Sequence, residues 1–113
     1  ILDVTNINYE GDPIEKRSVT VQKLDDVVRE IQLGRVGLKI DTEGFELNVI
    51  RGAKEVLKIT KFVLAEVRHN HESFHGVYKL HEFVNEMHEN GFVLSKILTA
   101  KPFIADLCFE PIN

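Results

Sequence analysis

Clustered glycine, paired cysteine, a basic stripe and long apolar runs are all missing from this 113-residue chain, and each absence removes a class of protein. The seven glycines, at positions 11, 34, 37, 44, 52, 76 and 91, never form GxGxxG or a similar close group after a strand, so no glycine-rich cofactor cradle can be assigned. Cys108 is the single cysteine, which rules out an internal disulfide and leaves the compartment undecided; within its apolar, strand-like surroundings it reads as a packed small hydrophobe. Neither a CxxC pair nor HExxH is present, so there is no strong zinc signature and no metal site is assigned. No apolar run approaches the about 20 residues a membrane helix needs, so no membrane span is expected within the chain. The net charge is -4 and the basic residues are dispersed among acids, which argues against a nucleic-acid partner, since that binding rests on clustered Lys and Arg.

What is present reads as one α/β unit. A hydrophobic fraction of 43%, a charged fraction of 28% and a mean hydropathy of -0.10 are those of an ordinary globular domain. Residues 18–21 suggest a short strand, and Leu24, Val27, Val28 and Ile31 form a helical stripe that stops at Gly34. Val36, Leu38 and Ile40 alternate with Gly37 and Lys39, as in a strand over 36–41. Leu47, Ile50, Ala53 and Leu57 then recur at helical spacing, with a break expected near Arg51 to Ala53 because Gly52 weakens a helix by about 1 kcal/mol relative to Ala. Phe62, Val63, Leu64 and Ala65 make a nearly continuous apolar run over 61–67, the pattern of a strand covered on both faces. Tyr78, Leu80, Phe83, Val84 and Met87 mark a helix ending at Asn90-Gly91, and two further strands follow at 92–98 and 104–109. With no helix between them, these last two are expected to pair as an antiparallel hairpin, whereas the earlier alternation favours parallel neighbours. Core candidates are Leu24, Leu38, Ile40, Leu47, Ile50, Leu57, Val63, Leu64, Phe83, Val84, Met87, Val93, Leu94 and Leu107.

Residues 38–53, LKIDTEGFELNVIRGA, join the apolar strand to the amphipathic helix through a turn carrying two acids and a glycine. In α/β sheets, ligands bind beyond the carboxyl ends of strands, which is where Asp41 and Glu43 fall. This run, with VTVQKLDDVV upstream and FVLAEV downstream in the same order and spacing, resembles the signature of FkbM-type S-adenosylmethionine-dependent methyltransferases. The similarity spans residues 18–98, and 106–109 resemble the family's last strand. It implies a Rossmann-like methyltransferase sheet, mostly parallel with a final antiparallel hairpin. In that fold the N-terminal half holds the glycine-rich cofactor loop and an acid for the cofactor ribose, and this chain contains neither. Residues 18–113 therefore resemble the C-terminal part of a single methyltransferase domain, with 1–17 a poorly assigned lead-in. The remainder of the domain is expected upstream, the fragment is expected to be inactive alone, and an initial Ile rather than Met agrees with a fragment.

The resemblance implies S-adenosyl-L-methionine as cofactor and O-methylation of a small-molecule or glycan hydroxyl. Asp41 can orient substrate or the cofactor amino group, or ligate a metal, and its plainer alternative is to hydrogen-bond its own turn or cap the following helix; Glu43 can serve the site or the dipole of that helix. Glu66 ends an otherwise apolar strand, where an unpaired carboxylate is costly to bury. Together Asp41, Glu43 and Glu66 could form an acidic cluster whose like charges raise one carboxyl toward the range of a general base, or they could pair with Arg68 or Lys39. Glu46 reads as a first-turn helix acid. His69, His71 and His75 lie in a polar loop, with His69 and His71 the candidates for touching substrate. Two other classes fit the same residues: a noncatalytic α/β binding or interaction module, and a divalent-metal hydrolase using the acidic cluster.

Overall fold

The computed structural model describes residues 2–6, 15–69 and 77–113. Strands β1 (Leu2–Asn6) and β2 (Glu15–Val19) pair antiparallel in a two-stranded ribbon of their own. The strand expected over 18–21 is thus shifted toward the N-terminus, and its partner lies in the lead-in. Next come α1 (Leu24–Val28), β3 (Val36–Ile40), α2 (Glu46–Arg51), α3 (Lys54–Leu57), β4 (Thr60–Arg68), α4 (Leu80–Glu89), β5 (Phe92–Ala100) and β6 (Ile104–Pro111). The helix break falls where Gly52 predicted it. Gly52 is buried, and a Cβ there would press within 3.3–3.4 Å of Lys23, so the close approach of the segment leading into α1 also needs glycine.

Strands β3 to β6 form a four-stranded sheet in the order β3-β4-β6-β5. Only β3 and β4 pair parallel; β4 with β6 and β5 with β6 are antiparallel, so the expectation of a mostly parallel sheet is overturned. The reason is the final hairpin. After α4 carries the chain across, β5 runs in the same direction as β3 and β4, but β6 turns back and inserts between β4 and β5, so it borders both in the antiparallel sense. The fold is therefore a mixed α/β arrangement with one parallel pair and a closing antiparallel hairpin.

The core lies on one face of this sheet. Ile40, Val63, Ala65, Val67, Leu107 and Phe109 point toward Leu47 and Ile50 of α2, Val56 and Leu57 of α3, and Phe83 and Met87 of α4. The rings of Phe83 and Phe109 meet edge to face with centroids 5.6 Å apart, a favourable aromatic geometry. Along β4, buried Val63, Ala65 and Val67 alternate with less covered Phe62, Leu64 and Glu66, so the strand expected to be covered on both faces is well buried on only one. Phe62 is 41% exposed and its ring lies across Gly37, where an added Cβ would collide with it. Val93 and Leu94, expected in the core, are exposed, because β5 is an outer strand and Phe92 and Phe109 already fill the space beneath it. Leu24, Leu38 and Val84 pack against the core while only partly buried.

Local signals account for the helix placements. Glu82 reaches back to the Lys79 N–H at 2.8 Å, satisfying a donor left over at the start of α4. The short α3 is capped from a distance: the Asp25 carboxylate of α1 accepts from the Glu55 and Val56 N–H groups at 3.0 and 2.9 Å. That contact fixes α1 against α3. The side chain of its neighbour Asp26 pairs with exposed Arg29. Asp25→Ala is therefore expected to cost roughly 0.5–2 kcal/mol in denaturant unfolding, the range for losing a helix cap, whereas Asp26→Ala changes stability by no more than about 0.5 kcal/mol.

Candidate functional site

The site grows from the turn between β3 and α2. Glu43 there has φ 54° and Gly44 φ 106°, two successive residues in the left-handed region. A side chain rarely adopts such a backbone, and a residue held there points to surroundings that over-determine it. Those surroundings centre on Glu46. Its side chain is 0% exposed, and it turns back over the turn instead of standing free in the first helical turn. One carboxylate accepts from the Thr42 N–H at 2.8 Å, the Thr42 hydroxyl at 2.5 Å, the Gly44 N–H at 3.1 Å and the Tyr78 hydroxyl at 2.6 Å.

These donors decide its charge state. Burial alone pushes the Glu46 carboxyl up, but hydrogen bonds from Thr42 and Tyr78 and from the Gly44 and Thr42 backbone outweigh burial and leave it below its ordinary 4.5. Tyr78 is raised, chiefly by burial and then by its bond to Glu46, so its hydroxyl stays protonated and donates. The same oxygen accepts from the Arg68 N–H at 3.2 Å, at the end of β4. Glu46 reads from sequence as a first-turn helix acid, and it does open α2, but its burial and its grip on the turn lie beyond that reading. The missed signal was the pairing of a T-x-G turn, offering backbone donors, with an acid just beyond it.

Asp41, Glu43 and Glu66 each offer a carboxylate oxygen within 4.8 Å of the others'. Asp41 follows β3 directly, Glu66 lies near the end of β4, and the parallel pairing of these strands sets their ends side by side. Glu66 is held above its ordinary 4.5 by a hydrogen bond shared with Asp41, by burial, and by the negative charges of Asp41, Asp106 and Glu43. Glu43 is additionally paired with Arg68, Nη2 to Oε2 at 2.6 Å. The guanidinium expected as a possible partner for the cluster thus engages its outermost member.

A fourth acid joins from β6. Asp106 lies opposite Glu66 in the antiparallel register, with the Thr99 hydroxyl of β5 donating to its carboxylate. Asp41, Glu66 and Asp106 line a cavity of about 350 Å³ together with Lys39, Leu64 and Leu98. Asp106 was not singled out from sequence, because only the insertion of β6 beside β4 brings it there. His69 is exposed, its ring donates to the Lys101 carbonyl, and its backbone N–H donates to Phe103 at 3.1 Å, so it is tied to the β5–β6 turn. His71 and His75 lie outside the described residues.

Two titration effects of opposite sign follow. Because the folded Glu46 has a lowered pKa, its contribution to stability is complete above about pH 4.5 and is lost as pH falls through the folded value. Glu46→Gln is expected to cost roughly 1.5–3 kcal/mol at pH 7 and to flatten the acid-side decline in unfolding midpoint. Glu66, raised in the folded state, adds stability only at low pH, and that benefit fades as pH climbs past 4.5 through the folded value. Glu66→Gln is accordingly expected to raise the thermal midpoint at pH 7 and to leave it nearly unchanged at pH 4.

The family model described as Methyltransferase FkbM domain matches residues 3–94, which runs from β1 into β5 and includes Asp41, Glu43, Glu46 and Glu66. Neither the curated proteins nor the solved structures give a match to the chain. A match over most of the chain's length, centred on the strand–turn–helix unit that builds the acidic site, establishes that this chain belongs to the FkbM methyltransferase domain family.

Proposed function

We propose that this chain forms the acceptor side of a Rossmann-like, S-adenosylmethionine-dependent methyltransferase that methylates a hydroxyl of a small molecule or glycan. The observation that carries the reading is the carboxylate pair Asp41–Glu66 at the neighbouring ends of β3 and β4, one of them raised in pKa beside a cavity. The donor set suits the cofactor's cationic end: Asp41, Glu66 and Asp106 outnumber the single Lys39 lining the same cavity. Asp41 would hold the cofactor's ammonium group, and bound S-adenosylmethionine supplies an electrophilic methyl carbon on a sulfonium. Glu66 and Asp41 would orient the acceptor hydroxyl, and Glu66, with its raised affinity for a proton, would accept the hydroxyl proton as the oxygen bonds to carbon and the carbon–sulfur bond breaks. Most of the acceleration then comes from holding the reactants in line, with the base adding a smaller factor.

A second reading rests on a separate observation. Three carboxylates within 4.8 Å of one another are a plausible set of hard oxygen ligands for a divalent cation, as a metal-dependent hydrolase would need. Titration with magnesium or manganese separates the two. Metal affinity that is unchanged by Asp41→Asn and Glu66→Gln removes the hydrolase.

The methyltransferase reading is tested by calorimetry on the full-length protein with S-adenosylmethionine. Binding is expected, weakened roughly 10- to 100-fold by Asp41→Asn, the range for losing a charge-assisted hydrogen bond. Absence of detectable heat, or undiminished binding in the variant, would count against Asp41 as the cofactor's partner.

A further inference from the structure

We infer that Glu46 and Tyr78 are positioning residues for the acidic site, a buried carboxylate and phenol that hold the ends of β3 and β4 in the single placement where Asp41 meets Glu66. The role deepens the methyltransferase reading and rests on it only for the kinetic part of the test.

The geometry is a closed circuit through three segments. The Glu46 carboxylate grips Thr42 and Gly44, the residues flanking Glu43 and immediately following Asp41. Tyr78 donates to that carboxylate from the segment leading into α4, and the same oxygen receives the Arg68 N–H, two residues beyond Glu66. The Arg68 side chain then returns to Glu43. Of the two arms, the outer one ends on a Glu43 side chain that is 74% exposed, where an ion pair is worth little. The inner arm is a charge-assisted pair around a fully buried acid, so it sets the geometry. Tyr78 itself is anchored by its ring, 5.7 Å from Phe83 in the core. A carboxylate needed only to cap α2 would have no use for a partner thirty-two residues away.

The test is Tyr78→Phe, which keeps the ring against Phe83 and deletes only the hydroxyl. The readout is the carboxyl titration of Glu66 by NMR, in the setting of Asp41 and Glu43 from the turn, Asp106 from β6, Lys39 from β3 and Arg68 from β4. Loosening the strand ends is expected to bring Glu66 down toward the ordinary 4.5. Thr42→Val, a milder cut in the same circuit, should move it less in the same direction, which keeps the test open if Tyr78→Phe fails to fold. Val56→Ala serves as the control, because it thins the core at α3 without touching the circuit and should leave the titration in place. A Glu66 titration that ignores the Tyr78 and Thr42 changes, or that moves equally in Val56→Ala, overturns the inference. In the full-length protein, methyl transfer by Tyr78→Phe should show a kcat reduced roughly 100-fold, the order expected for a misplacement near 1 Å. An unaltered kcat would also overturn it. Should the unsubstituted protein transfer no methyl group, the methyltransferase reading fails while the titration still decides the role of the pair.

Discussion

The fully buried Glu46 carboxylate is the interaction on which the rest of the site depends. An ionised acid inside a protein costs several kcal/mol unless its lone pairs are met by donors. Here they are met by two backbone N–H groups of a turn and by two hydroxyls, so the fold has exchanged solvent for fixed dipoles. The exchange has a geometric counterpart: the turn closes with Glu43 and Gly44 in left-handed conformations, with Glu43 paired outward to Arg68 and Asp41 beside Glu66. The two glutamates of this turn–helix unit therefore have opposite fates. One is sealed and held charged at neutral pH, and the other stands in solvent.

The same division separates structure from chemistry across the sheet. Residues facing α2, α3 and α4 are apolar and tightly buried, and they make a rigid floor. Residues on the other face and at the strand ends are charged or half-covered, and the hydrogen bond with Asp41, burial and the negative charges of Asp41, Asp106 and Glu43 raise the Glu66 carboxyl above its ordinary value. Such repulsion works against stability at neutral pH. A floor of close-packed side chains tolerates it, and Glu66 gains a raised affinity for a proton beside a cavity.

Much of the fold could be read in the residues, for identifiable reasons. The alternation of Val36, Leu38 and Ile40 and the helical spacing from Leu47 onward are local signals, and Gly52 interrupts the helix where its lack of a side chain is needed. The clustering of Asp41, Glu43 and Glu66 followed from placing two parallel strands side by side. What could not be read was non-local. Nothing in the run 104–111 says that it will lie against β4 rather than outside β5, so the closing hairpin is legible but neither the predominance of antiparallel pairs nor the arrival of Asp106 opposite Glu66 is. Glu46 is the first-turn acid of α2 that its position suggests, but its burial is non-local and depends on Tyr78, far along the chain. The apolar run at β4 likewise suggested cover on two faces, while the partly open side of Phe62 and Leu64 depends on what packs there.

The wedge position of β6 has a consequence for how the molecule assembles during synthesis. Strand β4 has one permanent neighbour, β3, as soon as both are made, but its other neighbour is β6, joined through pairs as distant in sequence as Val63 with Phe109. Until that last strand emerges from the ribosome, β4 keeps a bare hydrogen-bonding edge and Phe83 lacks the ring of Phe109. Closure of the sheet and completion of the aromatic core are thus one late, long-range event, of the kind that sets a slow folding rate and exposes a sticky border to other nascent chains meanwhile.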